Sequence, residues 1–201
     1  KILQKVTETD LTNSQFPFMH SKRIIIAGVN LRATRITYVG ELGWELYIPA
    51  QDALPVWLAI LAAGAADGLR VCGYRAIESL RLEKGYRSLG SDIHTNTNPY
   101  ESGLGFTVKL KKETDFIGKN ALSKIKEEPI QKKLACMVMD DSEGMALGTE
   151  PLYSDGKAVG YVTSTNYGYF VDKHIVYGYI PSTKVSSDHT SANTHKPELV
   201  F

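Results

Sequence analysis

Three side chains beside one turn could hold a flat, polar ligand: Tyr38, Glu45 and Tyr47, in the run Tyr38-Val39-Gly40-Glu41-Leu42-Gly43-Trp44-Glu45-Leu46-Tyr47-Ile48-Pro49. A carboxylate accepts two adjacent N–H donors at once, and such charge-assisted pairs are short and strong. A phenol offers an apolar wall and one hydrogen bond. Gly40 and Gly43 bracket Glu41-Leu42 and predict a tight turn. A strand predicted over 44–49 sends alternate side chains to opposite faces. Trp44, Leu46 and Ile48 then share the buried face, and Glu45 and Tyr47 share the other. Pro49 brings no N–H and ends the pairing. A rigid element would thus aim an acid and a phenol together, a short turn from Tyr38. The solvated face of a half-buried sheet has the same pattern.

Other elements must position that strand. The run 22–27 is rich in β-branched residues, Gly28-Val29-Asn30 predicts a hairpin connection, and 31–39 returns as a second strand that delivers Tyr38. A helix follows, with Asp52 as N-cap and Pro55 in its first turn. Leu54, Trp57, Leu58 and Leu61 recur as its core stripe, and Gly64 or Gly68 stops it. A second helix is predicted over 74–84, between Gly73 and Gly85. Ile77 and Leu80 face its core, while Arg75, Ser79 and Leu82 fall on a second, partly buried line. Glu78 and Arg81 are spaced to pair at the surface, for a few tenths of a kcal/mol. The first ten residues read as the end of a helix that begins upstream.

Residues 85–105 are loop-rich, with Asp92 and Glu101 placed to brace them. A strand over 106–110 and a helix over 115–128 follow, and a boundary is predicted near Pro129-Ile130-Gln131. Beyond it the texture changes. Strands over 134–139, 151–153, 158–165 and 173–180, with a turn at Ser154-Asp155-Gly156-Lys157, predict a small antiparallel barrel or sandwich. Asn166 to Phe170 reads as a packed aromatic turn, and 182–196 as loop or disorder.

Composition narrows the function classes. The chain of 201 residues is 43% hydrophobic and 22% charged, which is ordinary for a globular protein. A net charge of +1 with short, scattered basic clusters argues against nucleic-acid or membrane partners. Cys72 and Cys136 lie far apart, and His20, His94, His174, His189 and His195 lack ligand spacing, so no metal site or disulfide framework is expected. Two lone thiols fit a reducing compartment. No GxGxxG, P-loop or GxSxG motif is present. A first residue of Lys1 reads as a processed, excised or incomplete piece.

The run YVGELGWELYIP, followed by GYRAIESLRLEKGYRSLGSDI from Gly73 to Ile93, resembles the aminomethyltransferase (glycine cleavage T protein) superfamily. NPYESGL (Asn98 to Leu104) and DFIGKNAL (Asp115 to Leu122) extend the likeness, which runs from about Leu3 to about Pro181. It is most like the carboxy-terminal half of sarcosine and dimethylglycine dehydrogenases. The resemblance implies an α+β fold: a ferredoxin-like portion of a folate-binding core over 1–130, then a small C-terminal antiparallel Greek-key β-barrel over 131–201.

It also implies tetrahydrofolate as cofactor, with Glu45 on the pterin donor edge. Tyr38 and Tyr47 would line the site, Arg75 would lie near the same ligand, and Phe106 would wall the ring. Arg75 reads equally as a structural ion pair, and Phe106 as plain core. No residue here is assigned proton transfer, because in this superfamily the assisting acid lies upstream, and FAD further upstream again. The parent enzyme would oxidise an N-methylated glycine and pass the carbon to tetrahydrofolate, giving methylenetetrahydrofolate. Its partners would be folate, an N-methylglycine-type substrate and the remainder of its own chain. Its place would be the mitochondrial matrix or the bacterial cytoplasm. A stand-alone aminomethyltransferase and a non-catalytic regulatory subunit, like that of pyruvate dehydrogenase phosphatase, share the architecture. The GELG turn favours the dehydrogenase branch, and the acid at Glu45 favours folate over the regulatory subunit.

Overall fold

The computed structural model describes residues 1–140, 144–185 and 198–199. It divides into two compact units, Lys1–Lys84 and Gly85–Phe201.

The first unit is built on a three-stranded antiparallel sheet of β1 (Ser21–Ile26), β2 (Val29–Thr34) and β3 (Glu45–Tyr47), in that order. Ile26 pairs with Val29, so the hairpin loop is Ala27-Gly28, one residue earlier than predicted. Both loop residues have positive φ, 50° and 77°, the backbone of a two-residue turn that matches strand twist. β2 stops at Thr34 instead of reaching 39. The Arg35 N–H still donates to the His20 carbonyl, but the Ile36 N–H turns back to the carbonyl of Thr34 and the ladder ends. β3 keeps only three of the six predicted residues, yet its alternation is as predicted.

Ile24, Ile26, Leu31 and Ala33 are buried on the inner face together with Phe16 and Val56. Trp44, Leu46 and Ile48 pack against that cluster, and Phe16 meets Trp44 edge-on at 4.7 Å. Arg35 ties the neighbouring loop down. Its guanidinium donates to the Phe16 carbonyl at 2.7 Å and to the Asn13 side chain, and lies 5.8 Å from the Trp44 ring.

Helix α1 (Ala53–Gly64) follows a short 3-10 turn at Ala50–Asp52. Its predicted stripe is out of phase. Val56 is fully buried and Ala59 and Ile60 pack on the core, whereas Leu54, Trp57 and Leu58 are exposed. Asp52 precedes the helix without a side-chain cap bond. The predicted helix end near the amino terminus is only a 3-10 turn, Leu3–Lys5. Helix α2 (Tyr74–Glu83) lies where expected, but its inward face is Ser79, Arg81 and Leu82, and Leu80 is 43% exposed. Glu78 and Arg81 do pair, at 2.7 Å, although the guanidinium is 1% exposed rather than at the surface.

The second unit opens with loops. Asp92 and Glu101 brace them as expected. Asn98 accepts the N–H groups of Tyr100 and Glu101 through its side chain, and Glu101 returns a carboxylate to the Asn98 N–H. The predicted strand over 106–110 is instead a 3-10 turn, Gly105–Thr107, because Thr107 folds back onto the Leu104 carbonyl through both its N–H and its hydroxyl. Helix α3 (Lys119–Glu127) starts four residues later than predicted, since Gly118 sits ahead of it at φ 90°.

A five-stranded antiparallel sheet follows, in the order β4-β7-β6-β5-β8: β4 (Lys132–Val138), β5 (Pro151–Ser154), β6 (Lys157–Gly168), β7 (Lys173–Pro181) and β8 (Glu198–Leu199). β5 to β7 form a meander and β4 returns beside β7, which is a Greek-key order. Asp155 and Gly156 make the predicted β5–β6 turn. Leu152, Val162, Val176 and Ile180 anchor the core. The aromatic turn is not packed throughout: Tyr167 meets Tyr169 and His174 edge-on, but Phe170 is exposed. The predicted loop over 182–196 begins as a 3-10 turn, Ser182–Lys184, and its part from 186 on, with His189 and His195, lies outside the described residues.

Candidate functional site

β2 and β3 determine what stands beside Glu45. Thr34 pairs with Glu45, Ala33 with Leu46 and Arg32 with Tyr47. Leu46 and Ala33 turn inward, so Glu45, Tyr47, Thr34 and Arg32 project on the outer face. Glu45 and Tyr47 are both exposed there, Tyr47 at 56%. The Tyr47 hydroxyl donates to Glu45 Oε2 at 2.5 Å. That hydrogen bond, and then the charge of the carboxylate, hold the phenol above its ordinary pKa, while the Arg32 charge acts in the opposite direction. One carboxylate oxygen is therefore already oriented by a neighbour on its own strand, on a surface open to a ligand.

Tyr38 lies before the turn, in the bend from 38 to 42, and is 36% exposed. Gly40 anchors this bend. It has φ 77°, and a Cβ there would come 2.3 Å from Lys84 Cδ, so the loop lies directly on the side chain at the end of α2. Thr37 adds a hydroxyl that accepts the Val39 N–H at 3.1 Å. Arg75 is exposed in the first turn of α2. Among the described residues it makes no hydrogen bond or ion pair with Glu45, whose bond is to Tyr47. Phe106 belongs to the second unit, in the Gly105–Thr107 turn, and is 73% exposed, so it is not plain core.

Two further residues share the Glu45 face and were not singled out from the sequence: Arg32 and, opposite it on β1, Arg23. Their signal was the turn. A two-residue loop at Ala27-Gly28 puts Arg23 against Arg32, and the three-residue connection predicted from Gly28-Val29-Asn30 does not.

A pterin-like ring offers an amino group beside a ring N–H. On this face the Glu45 carboxylate can accept paired N–H groups, and the Tyr47 phenol beside it offers an apolar wall.

Comparison with known proteins bears on this face. The family model described as GCVT N-terminal domain matches residues 1–112, and the glycine cleavage T-protein C-terminal barrel domain matches residues 132–196. The chain is 45% identical over 179 residues to human sarcosine dehydrogenase, mitochondrial, covering 89% of this chain and 19% of that protein. It is 40% identical over 181 residues to mouse dimethylglycine dehydrogenase, mitochondrial, covering 90% of this chain and 21% of that protein. Its backbone matches the crystal structure of the glycine cleavage system aminomethyltransferase T from Bartonella henselae with a TM-score of 0.76 and 25% identity, over 92% of this chain and 49% of that one. The chain thus spans about a fifth of the two dehydrogenases and half of the aminomethyltransferase. With its amino-terminal 112 residues in the GCVT domain and its Greek-key strands in the barrel domain, this chain belongs to the glycine cleavage T-protein family.

Proposed function

We propose that this chain is the tetrahydrofolate-binding, carboxy-terminal portion of an enzyme like sarcosine or dimethylglycine dehydrogenase. The observation that carries the proposal is the exposed Glu45 carboxylate, oriented by the Tyr47 hydroxyl on an open sheet face. Residues 1–130 would serve as the later part of the folate-binding domain and 131–201 as the barrel. When bound, tetrahydrofolate supplies the nucleophilic amines that take up a one-carbon unit released by oxidation of an N-methylglycine. The residues of this chain do not carry out that oxidation. Glu45 accepts the N–H edge of the pterin, Tyr47 and Tyr38 flank the ring, and Arg75 presents a permanent cation to the ring carbonyl. Holding the ring fixed removes much of the entropic barrier to its reaction. FAD would belong to another part of the parent chain, and the parent would reside in the mitochondrial matrix or, in a bacterium, in the cytoplasm. Calorimetric titration with tetrahydrofolate tests the reading. Glu45→Ala is expected to lose binding while retaining the fold, and undiminished affinity in that variant would overturn it.

The Bartonella henselae neighbour favours a second reading, the stand-alone aminomethyltransferase. The visible spectrum of the intact parent protein separates the two, since a flavin band belongs only to the dehydrogenase.

A further inference from the structure

The bend that joins Tyr38 to Glu45 has little of its own to hold it. β2 ends at Thr34 and β3 begins at Glu45. Among the described residues, Gly40, Glu41, Leu42 and Gly43 make no backbone–backbone hydrogen bond, and the Val39 N–H goes to the Thr37 hydroxyl at 3.1 Å. A segment whose amides bond to water opens at little cost, so packing must fix its shape.

Two close approaches supply that packing. Gly43 lies on Thr37: a Cβ at 43 would stand 2.9 Å from Thr37 Cβ and 3.0 Å from the Ile36 carbonyl oxygen. Gly40 lies on Lys84. A Cβ at 40 would meet three successive methylenes, Cγ, Cδ and Cε, each at 2.9 Å or less, so the lysine stem fills the space of a side chain there. Glu41 and Leu42, between the two glycines, are exposed. The first contact is local to the bend. The second ties it to another element.

Lys84 is suited to that task. It follows α2 directly, and its N–H donates to the Leu80 carbonyl at 3.2 Å. Arg81 and Leu82, just before it, are each 1% exposed, and Arg81 bonds Glu78 through two nitrogens. The backbone at 84 is therefore fixed. Among the described residues the Lys84 ammonium makes no hydrogen bond or ion pair, so no charge contact accounts for where the side chain lies. A lysine packs its stem on apolar surface while its head stays in water, and here that surface is the bare backbone of Gly40.

We propose that Lys84 is a positioning residue for the folate site: its methylene stem clamps the 38–43 bend and so sets where Tyr38 stands relative to Glu45. This rests on the folate reading of Glu45. The lysine acts through Tyr38 and needs no contact with the ligand. Its stem matters and its charge does not.

Amide hydrogen exchange on the ligand-free chain and calorimetric titration with tetrahydrofolate test it together. K84A is expected to speed exchange at residues 40–43 about tenfold, while β1 and β2 stay protected as in the wild type. K84M keeps the stem without the charge and is expected to exchange like the wild type. K84A is expected to weaken tetrahydrofolate about threefold, K84M not at all, and K84A added to Y38A to cost nothing further. Unchanged exchange in K84A would overturn the clamp. So would K84M matching K84A, which assigns the effect to the charge, or faster exchange throughout the first unit, which makes Lys84 a residue of general stability. Additive losses in the double variant show that the lysine does not act through Tyr38, and the proposal falls. If the wild-type chain binds folate through Glu45 but K84A binds equally well, only the positioning role fails. If the wild-type chain binds no tetrahydrofolate, the folate reading fails and the positioning role with it.

Discussion

Glu45 and Asp92 are both acids that accept a hydroxyl hydrogen bond at 2.5 Å, but the two units use them in opposite ways. Glu45 receives one phenol from its own strand and stays exposed. Asp92 is 0% exposed. One of its oxygens takes the Ser88 N–H at 2.9 Å, and the other takes the Thr163 hydroxyl on β6. Its carbonyl also accepts the Tyr179 hydroxyl on β7 at 2.7 Å. The carboxylate of the second unit is used up in joining a loop to β6, and that of the first is left available. A carboxylate becomes a site when the fold supplies too few donors for it, and a brace when it supplies enough.

Asp92→Ala gives the sharpest contrast. It leaves a half-buried amide and a half-buried hydroxyl without an acceptor and should cost the second unit about 2 kcal/mol, read from denaturant unfolding. A loss as small as that of a surface substitution would break the comparison. Gly160→Ala should cost about 2 kcal/mol or more, because a Cβ there would lie 2.0 Å from the Tyr179 carbonyl oxygen and force β6 from β7. Glu45→Ala should leave unfolding within about 0.5 kcal/mol of the wild type. It should instead weaken tetrahydrofolate about 30-fold, near 2 kcal/mol, as expected for a lost charge-assisted acceptor.

The smallest effect concerns pH. The Tyr47 phenol titrates above its ordinary value because it donates to Glu45. Its contribution is therefore whole below the ordinary tyrosine pKa and disappears as pH rises through the higher folded value. The tyrosinate absorbance missing from Tyr47→Phe identifies this group, and Glu45→Gln should move its titration back down. If it does not move, the acid does not hold the phenol in solution.

Much of this geometry was readable from the chain because it rests on local rules. The exposure of Glu45 and Tyr47 followed from a period of two, and the β5–β6 turn from Asp155-Gly156. Helix α1 failed for a physical reason. Its twelve residues, ALPVWLAILAAG, include no charged side chain and only the Trp57 indole N–H to mark an outside, so the sheet decides that Val56 and Ile60 turn inward. The alternation of Phe106, Val108 and Leu110 resembled a strand, but a strand needs a partner and this segment bonds to its own preceding carbonyls. Arg23 and Arg32 were overlooked because strand register depends on a loop one residue shorter than predicted.

Both tryptophans lie in the first unit, at positions 44 and 57, so the second unit has none. Trp44 is shielded beside Phe16 and Arg35, while Trp57 is 48% exposed. Intrinsic fluorescence thus carries two emitters of different colour that report on the first unit alone. Quenching by a soluble agent should reach Trp57 first, and a spectral change on adding ligand can be assigned to the first unit without attaching a dye.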